Sequence, residues 1–113
     1  MRWVLVMIVT TLVACQSSDV SRSLGARCDL SSECDEECLP PGMDWPGGFC
    51  TTICDNKFDC DNGATCADEQ GTGACEFLCA QDSDCAILGD GYGCKMRDGH
   101  GDTGQSVMVC RGD

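Results

Sequence analysis

Cysteine is the residue type that brings the most chemistry to this sequence. The chain has 113 residues and 13 cysteines, and 12 of the cysteines fall into three groups of four. Cysteines at such density form disulfide bonds in exported proteins, whereas reduced cysteines bind zinc or react. The sequence contains no C-x2-C pair, so we expect twelve disulfide-bonded cysteines, no metal and no cofactor. The groups are Cys28, Cys34, Cys38 and Cys50; Cys54, Cys60, Cys66 and Cys75; and Cys79, Cys85, Cys94 and Cys110.

The pairing within each group is open, since four cysteines permit three pairings. Crossed pairing, first with third and second with fourth, treats the three groups alike and compacts each of them. An exchange between neighbouring groups, across the three-residue bridges that join them, is the alternative. Crossed pairing predicts the disulfides Cys28–Cys38, Cys34–Cys50, Cys54–Cys66, Cys60–Cys75, Cys79–Cys94 and Cys85–Cys110.

Few other side chains in this sequence are placed to catalyse a reaction or to bind a metal. The one histidine, His100, lies in a glycine-rich segment, where we expect it to be exposed to solvent rather than oriented by a partner, as Ser-His-Asp chemistry requires. Acidic and amide side chains cluster between positions 55 and 62. An EF-hand aligned on Gly63 would place Phe58 and Cys60 at calcium-ligand positions, so we expect turn formation rather than calcium binding. The sequence predicts no enzyme.

The N-terminal residues predict export and lipid attachment. Residues 1–14 carry Arg2 followed by about a dozen mostly apolar residues, which is typical of a secretory signal peptide and too short for a spanning helix. The segment Leu12-Val13-Ala14-Cys15 resembles the lipobox of bacterial lipoproteins. This resemblance implies cleavage after Ala14 and a lipid on the Cys15 thiol; an ordinary signal peptide with a chance cysteine is the alternative. Parity favours the lipid, because setting Cys15 aside leaves twelve cysteines to pair.

The rest of the chain must position these groups. Residues 15–27 are polar and rich in serine and predict a flexible tether after the lipidated cysteine. Modules follow at 28–50, 54–75 and 79–110. Large apolar residues are too few for a conventional core, so disulfides must limit the unfolded chain. We expect a small disulfide-rich fold of three tandem four-cysteine modules, with short β-hairpins and little regular structure.

The modules share more than their cysteine spacing. An acid precedes the second cysteine of each module (Glu33, Asp59 and Asp84). Glycine lies three residues before the third cysteine in two modules, at Gly63 and Gly91, where a turn with positive φ suits it. We also expect a helical turn within residues 31–37 and a strand within residues 105–110.

A family resemblance covers about residues 28–110. The run Trp45-Pro-Gly-Gly-Phe-Cys50-Thr, followed by Cys-x5-Cys repeats with an acid before the second cysteine, resembles exported cysteine-rich lipoproteins of social gliding bacteria. Those proteins are mostly uncharacterised, so the resemblance implies an architecture and no activity. The spacing is also loosely similar to Dickkopf-type N-terminal and EGF-like modules, which differ in cysteine count and whose functions are not carried over.

The charge limits the partners. The chain carries a net charge of −12, and without Arg2 of the leader 19 acids face 6 basic residues. Such a surface keeps a protein soluble and repels nucleic acid and anionic headgroups. We expect a monomer held to the membrane by its lipid. Gln16, rather than Asp, follows Cys15, and by resemblance to enteric lipoproteins this favours the outer membrane over the inner one.

One loop is a candidate for recognition. The loop between Cys38 and Cys50 carries Met43, Trp45 and Phe49 on a proline-stiffened backbone, and such residues are typical interface anchors. Folding of the two aromatic rings into a small core is the alternative. The function predicted is a membrane-anchored, non-enzymatic lipoprotein that presents disulfide-braced loops for binding at the cell envelope. The alternative function is inhibition of secreted proteases through this loop.

Overall fold

The computed structural model describes residues 23–101 and 105–113, and its fold is small and disulfide-rich. Short 3-10 helices at Ser31–Glu33, Lys57–Asp59 and Asp82–Leu88 alternate with three antiparallel hairpins. The hairpins pair β1 (Glu37–Leu39) with β2 (Phe49–Thr51), β3 (Ala64–Glu69) with β4 (Thr72–Phe77), and β5 (Gly93–Asp98) with β6 (Ser106–Arg111). The predicted fold class is confirmed. The predicted signal peptide and Cys15 lie outside the described residues, and none of the described helices is long and apolar enough to cross a membrane.

Each module is a hairpin with a turn stapled across it. The third and fourth cysteines of a module lie directly opposite each other on the two strands, as in Cys38 and Cys50. Directly opposite side chains project from the same face of a hairpin, so both disulfides hold the Cys-x5-Cys turn over that face. The structure brings together the six predicted pairs: Cys28–Cys38, Cys34–Cys50, Cys54–Cys66, Cys60–Cys75, Cys79–Cys94 and Cys85–Cys110.

The acid before the second cysteine shapes this turn in every module. Its carboxylate accepts hydrogen bonds from the backbone N–H groups four and three residues earlier, at 2.8–3.3 Å. Such N–H groups at the start of a helical turn have no carbonyl partner within it, so a side-chain acceptor stabilises the turn. Glu33, Asp59 and Asp84 therefore recur because each caps the turn of its module in the same way.

Removal of this cap has a measurable cost. We expect Asp84→Ala to lower the free energy of unfolding by about 1 kcal/mol, the typical cost of a lost cap. Asp90→Ala removes the same charge from an exposed residue six positions later and should change stability by less than about 0.5 kcal/mol. Urea unfolding of the oxidised protein compares the two variants. Equal effects would show that charge, and not the cap, is responsible.

The backbone conformations expected in the second and third modules are present, whereas the helical turn expected in the first module is shorter than expected. Gly63 and Gly91 have φ of +85° and +91°, which explains why glycine stands there. The strand expected within residues 105–110 is β6. The helical turn expected within residues 31–37 ends at Glu33, because the chain is already extended at Cys34, with φ −110° and ψ 159°, to reach β1.

The bridges between modules also dock them. Cys75 donates its N–H to the carbonyl of Thr52 in the first bridge, at 3.0 Å, and Cys79 donates to Met108 at 3.1 Å beside the second. Each bridge thus lies along the hairpin that follows it, and neighbouring modules share backbone hydrogen bonds. Isolated antiparallel pairs add to this docking at Ile53 with Ala74, Leu78 with Val109, and Ala67 with Gly99.

The described part of the segment expected to be tether is packed against the first module. Gly25 donates its N–H to the carbonyl of Cys50, and Cys50 donates to the carbonyl of Ala26, both at 2.8 Å. Gly25 has φ +88°, and a Cβ there would lie 2.5 Å from the ring of Phe77. The expected tether, residues 15–27, is therefore too long at its C-terminal end, because the residues just before Cys28 pair with β2.

Candidate functional site

The candidate binding loop between Cys38 and Cys50 is divided by burial. Met43 is 80% exposed, whereas Trp45 is 5% exposed and Phe49 is fully buried. The rings of Trp45 and Phe49 pack with centroids 4.9 Å apart, and Phe49 meets Phe77 edge-on at 6.0 Å. Trp45 and Phe49 are therefore not presented to a partner, and the structure agrees with the other interpretation, in which both rings fold into the module. They form a small core, because a chain with few large apolar side chains gains most by burying its aromatic ones.

Met43 projects from a fixed backbone. Gly42 donates its N–H to the carbonyl of Trp45 at 3.2 Å within the loop. Gly112, beyond the end of β6, donates its N–H to the carbonyl of Asp44 at 2.7 Å. Backbone on both sides of Met43 is thus held, and binding through this residue would order little additional chain.

A cleft of about 500 Å³ opens beside this loop. Leu39, Pro40 and Trp45 form an apolar wall on the side of the first module. Glu69 and Gln70 at the β3–β4 turn line the other side, with further carboxylates from Asp44 and Asp113. A partner side chain that entered the cleft would meet apolar surface together with the carboxylates of Asp44 and Asp113.

All three modules meet around Arg111. Its guanidinium lies 2.7 Å from a carboxylate oxygen of Glu69 and 5.1 Å from the centre of the Trp45 ring. Arg97 contacts the same Glu69 oxygen at 3.0 Å. We call the four charged residues Glu69, Glu76, Arg97 and Arg111 the arginine junction. The Arg111 side chain is only 5% exposed, so this arginine packs between the modules.

Glu76 is the most deeply buried acid of the arginine junction. It is fully buried, and neither of its carboxyl oxygens receives a hydrogen bond from a donor among the described residues. Burial, and then the hydrogen bond to Glu69 and its charge, raise the pKa of Glu76 to about 10. Glu76 is therefore protonated at neutral pH and donates to the Glu69 carboxylate. The pair then holds one negative charge against two arginines.

His100 is not the exposed loop residue expected from the sequence. Its Nδ1 lies 2.9 Å from a carboxylate oxygen of Asp68, and its backbone N–H donates to Cys66 at 2.9 Å. The hydrogen bond from His100 is the main cause that lowers the pKa of Asp68. Gly101 lies so close to the carbonyl of Asp55 that a Cβ would collide with it. His100 thus docks the β5–β6 loop onto the second module, which accounts for its partial burial.

The acid-rich segment at 55–62 is used in a turn. Asp59 accepts the N–H groups of Asp55 and Asn56, and the Asn56 side chain accepts the N–H of Phe58 at 2.9 Å. Elsewhere, three cysteine sulfurs of each module lie within 4.8 Å of one another, but all nine belong to disulfides and have no thiolate for a metal.

The residues that sequence reasoning missed are those of the arginine junction. Arg111 and Arg97 meet Glu69 from 42 and 28 positions away in the chain, and no local pattern marks such a pair. One signal was present, since strand alternation places Glu76 on the same face as Ala74, which is buried.

Comparison of the chain with protein-family models, with curated proteins and with solved structures finds no match.

Proposed function

We propose that this chain is a membrane-anchored, non-enzymatic lipoprotein that presents disulfide-braced loops for binding at the cell envelope. One observation carries the proposal: twelve cysteines pair with one another, and the thirteenth is Cys15 of the lipobox-like segment. The thiol of Cys15 therefore has no partner among the other twelve and is the one available for a lipid. Attachment of two or more acyl chains gives stable anchoring.

The held loop supports a binding role. Met43 is exposed on fixed backbone beside a cleft with apolar and acidic walls. The net charge of −12 favours approach of cationic partners and disfavours nucleic acid. A protein partner that offers a basic or apolar side chain fits this surface. We propose the outer membrane as the location of the anchored protein.

Inhibition of a secreted protease is a second candidate for the same loop. The exposure of Met43 between held backbone segments favours it, because inhibitors present a side chain on a rigid loop. A loss of protease activity that is stoichiometric with added protein would select this function over envelope binding.

Cys15→Ala tests the anchor. We expect the wild-type protein to incorporate labelled palmitate in a host that processes lipoproteins, and the variant to incorporate none, because the thioether attachment point is lost. Ser17→Ala, two residues along the same segment, is the matched control and should label like the wild type. Equal labelling of Cys15→Ala, or absence of label from the wild type, would overturn the proposal.

A further inference from the structure

An apolar groove of about 550 Å³ lies where the N-terminal segment joins the modules. Leu24 forms one wall, Phe77 and Leu78 form a second, and Ile87 and Leu88 form a third. Ile87 is 90% exposed and Leu78 is about half exposed. Exposed apolar side chains that gather in one recess make it a candidate interaction surface. We call it the tether groove.

Neighbouring side chains of β6 lead to the tether groove and towards the cleft beside Met43 from opposite faces of the strand. Successive side chains of a strand point to opposite faces. Cys110 lines the tether groove, whereas the next residue, Arg111, contacts Glu69 in the wall of the cleft. An occupant of the tether groove therefore leaves the Met43 loop accessible on the other side.

The groove is close to the proposed anchor along the chain. Leu24 follows Cys15 by nine residues, which span at most about 30 Å when fully extended. Because Leu24 is itself a wall of the groove, the groove remains within that distance of the lipid for any path of the intervening chain. A lipid on Cys15 would thus bring this surface to the bilayer.

The charge of the groove suits a bilayer in spite of the acidic chain. Asp84 is the one ionisable residue among the described residues that line it. The carboxylate of Asp84 already accepts the N–H groups of Ala80 and Gln81, at 2.9 and 3.1 Å. The groove is therefore apolar apart from one carboxylate that backbone donors already engage, whereas the more acidic surface elsewhere would be repelled by anionic headgroups.

We infer that the tether groove is a membrane-contact surface. Ile87 and Leu78 enter the interfacial region of the same bilayer that holds the lipid of Cys15, and the Met43 loop faces away from the membrane. The lipid brings the modules to the surface, and the groove sets their orientation on it. This inference rests on the proposed lipid anchor.

Tryptophan reporters in the full-length, lipid-processed protein test the contact. Ile87→Trp places an indole in the groove, and Leu78→Trp is a second groove reporter should the first disturb folding. Met43→Trp is the matched control, since Met43 is similarly exposed and lines the cleft rather than the groove. Each protein is reconstituted in phosphatidylcholine vesicles with and without bromine on the acyl chains, which quenches an indole in contact with them. The buried Trp45 gives the same background in all samples.

We expect either groove reporter to lose most of its emission in brominated vesicles and to shift to shorter wavelength, and Met43→Trp to do neither. Protein that floats with the vesicles while its groove reporters stay unquenched overturns the membrane contact and leaves the anchor standing. Equal quenching of Met43→Trp overturns the orientation. A shift without quenching that depends on protein concentration shows a second copy in the groove and also overturns the contact. Protein that carries no acyl mass overturns the proposed anchor, and this inference with it.

Discussion

Replacement of Arg111 by alanine is expected to lower the free energy of unfolding by about 3–5 kcal/mol, the usual cost of removing one partner from a buried ion pair. The Arg111 and Glu69 side chains are 5% and 10% exposed, so water cannot replace the lost guanidinium. The substitution also removes the cation–π contact with Trp45. The loss falls where the three modules meet, and we therefore expect it to weaken the whole molecule.

Arg97→Ala is the matched control for this prediction. Arg97 contacts the same oxygen of Glu69, but its side chain is 33% exposed, and a partly solvated pair contributes only about 1 kcal/mol or less. Urea unfolding followed by far-ultraviolet circular dichroism, with disulfides intact, compares the two variants. Equal and small losses would contradict the view that Arg111 holds the modules together.

Stability is expected to decrease as the pH rises from about 5 to 8.5, because Glu76 keeps a proton in the folded protein. Its pKa is raised from 4.5 to about 10. Between these values the unfolded chain releases a proton that the folded chain retains. The stabilisation is complete below pH 4.5 and is lost progressively as the pH approaches 10, with a slope of at most about 1.4 kcal/mol per pH unit. Asp68 has the opposite effect at lower pH. Its pKa is lowered from 3.8, so the stability that its carboxylate contributes is present above that pH and is lost as the pH falls below it.

Glu76→Gln should flatten this pH dependence. Glutamine keeps an N–H donor toward Glu69 and does not ionise, so we expect the variant to be more stable than the wild type at pH 8 and similar to it at pH 5. Glu36→Gln, at an exposed position, should keep the wild-type slope. Thermal unfolding in a series of buffers measures all three proteins. A flat wild-type profile, or a Glu76→Gln profile with an unchanged slope, would show that Glu76 is not protonated in the folded state.

Features set by short stretches of chain could be predicted from the sequence. The repeated Cys-x5-Cys opening favoured crossed pairing, because that pairing treats the three modules alike, and the structure has the same six disulfides. The acids at Glu33, Asp59 and Asp84 recur because each caps the turn that its own cysteines enclose. Gly63 and Gly91 stand at turns whose positive φ is fixed locally.

Features set by docking between modules could not be predicted. His100 meets Asp68 from 32 positions away, and Arg111 meets Glu69 from 42. Phe49 of the candidate loop packs on Phe77 of β4, and this contact joins two modules. The tether groove is likewise assembled from three separate segments. Only the relative placement of the modules shows which of these side chains are available to a partner.

The measurement that tests the lipid-anchored disulfide scaffold most directly is the intact mass of protein purified from membranes of a host that processes lipoproteins. The mass is taken first on the native protein and then after reduction and alkylation. We predict an N-terminus at Cys15 that carries acyl mass, and twelve cysteines that are alkylated only after reduction. An unacylated N-terminus would contradict the anchor. Cysteines that are alkylated without reduction, or zinc that accompanies the protein, would contradict the scaffold.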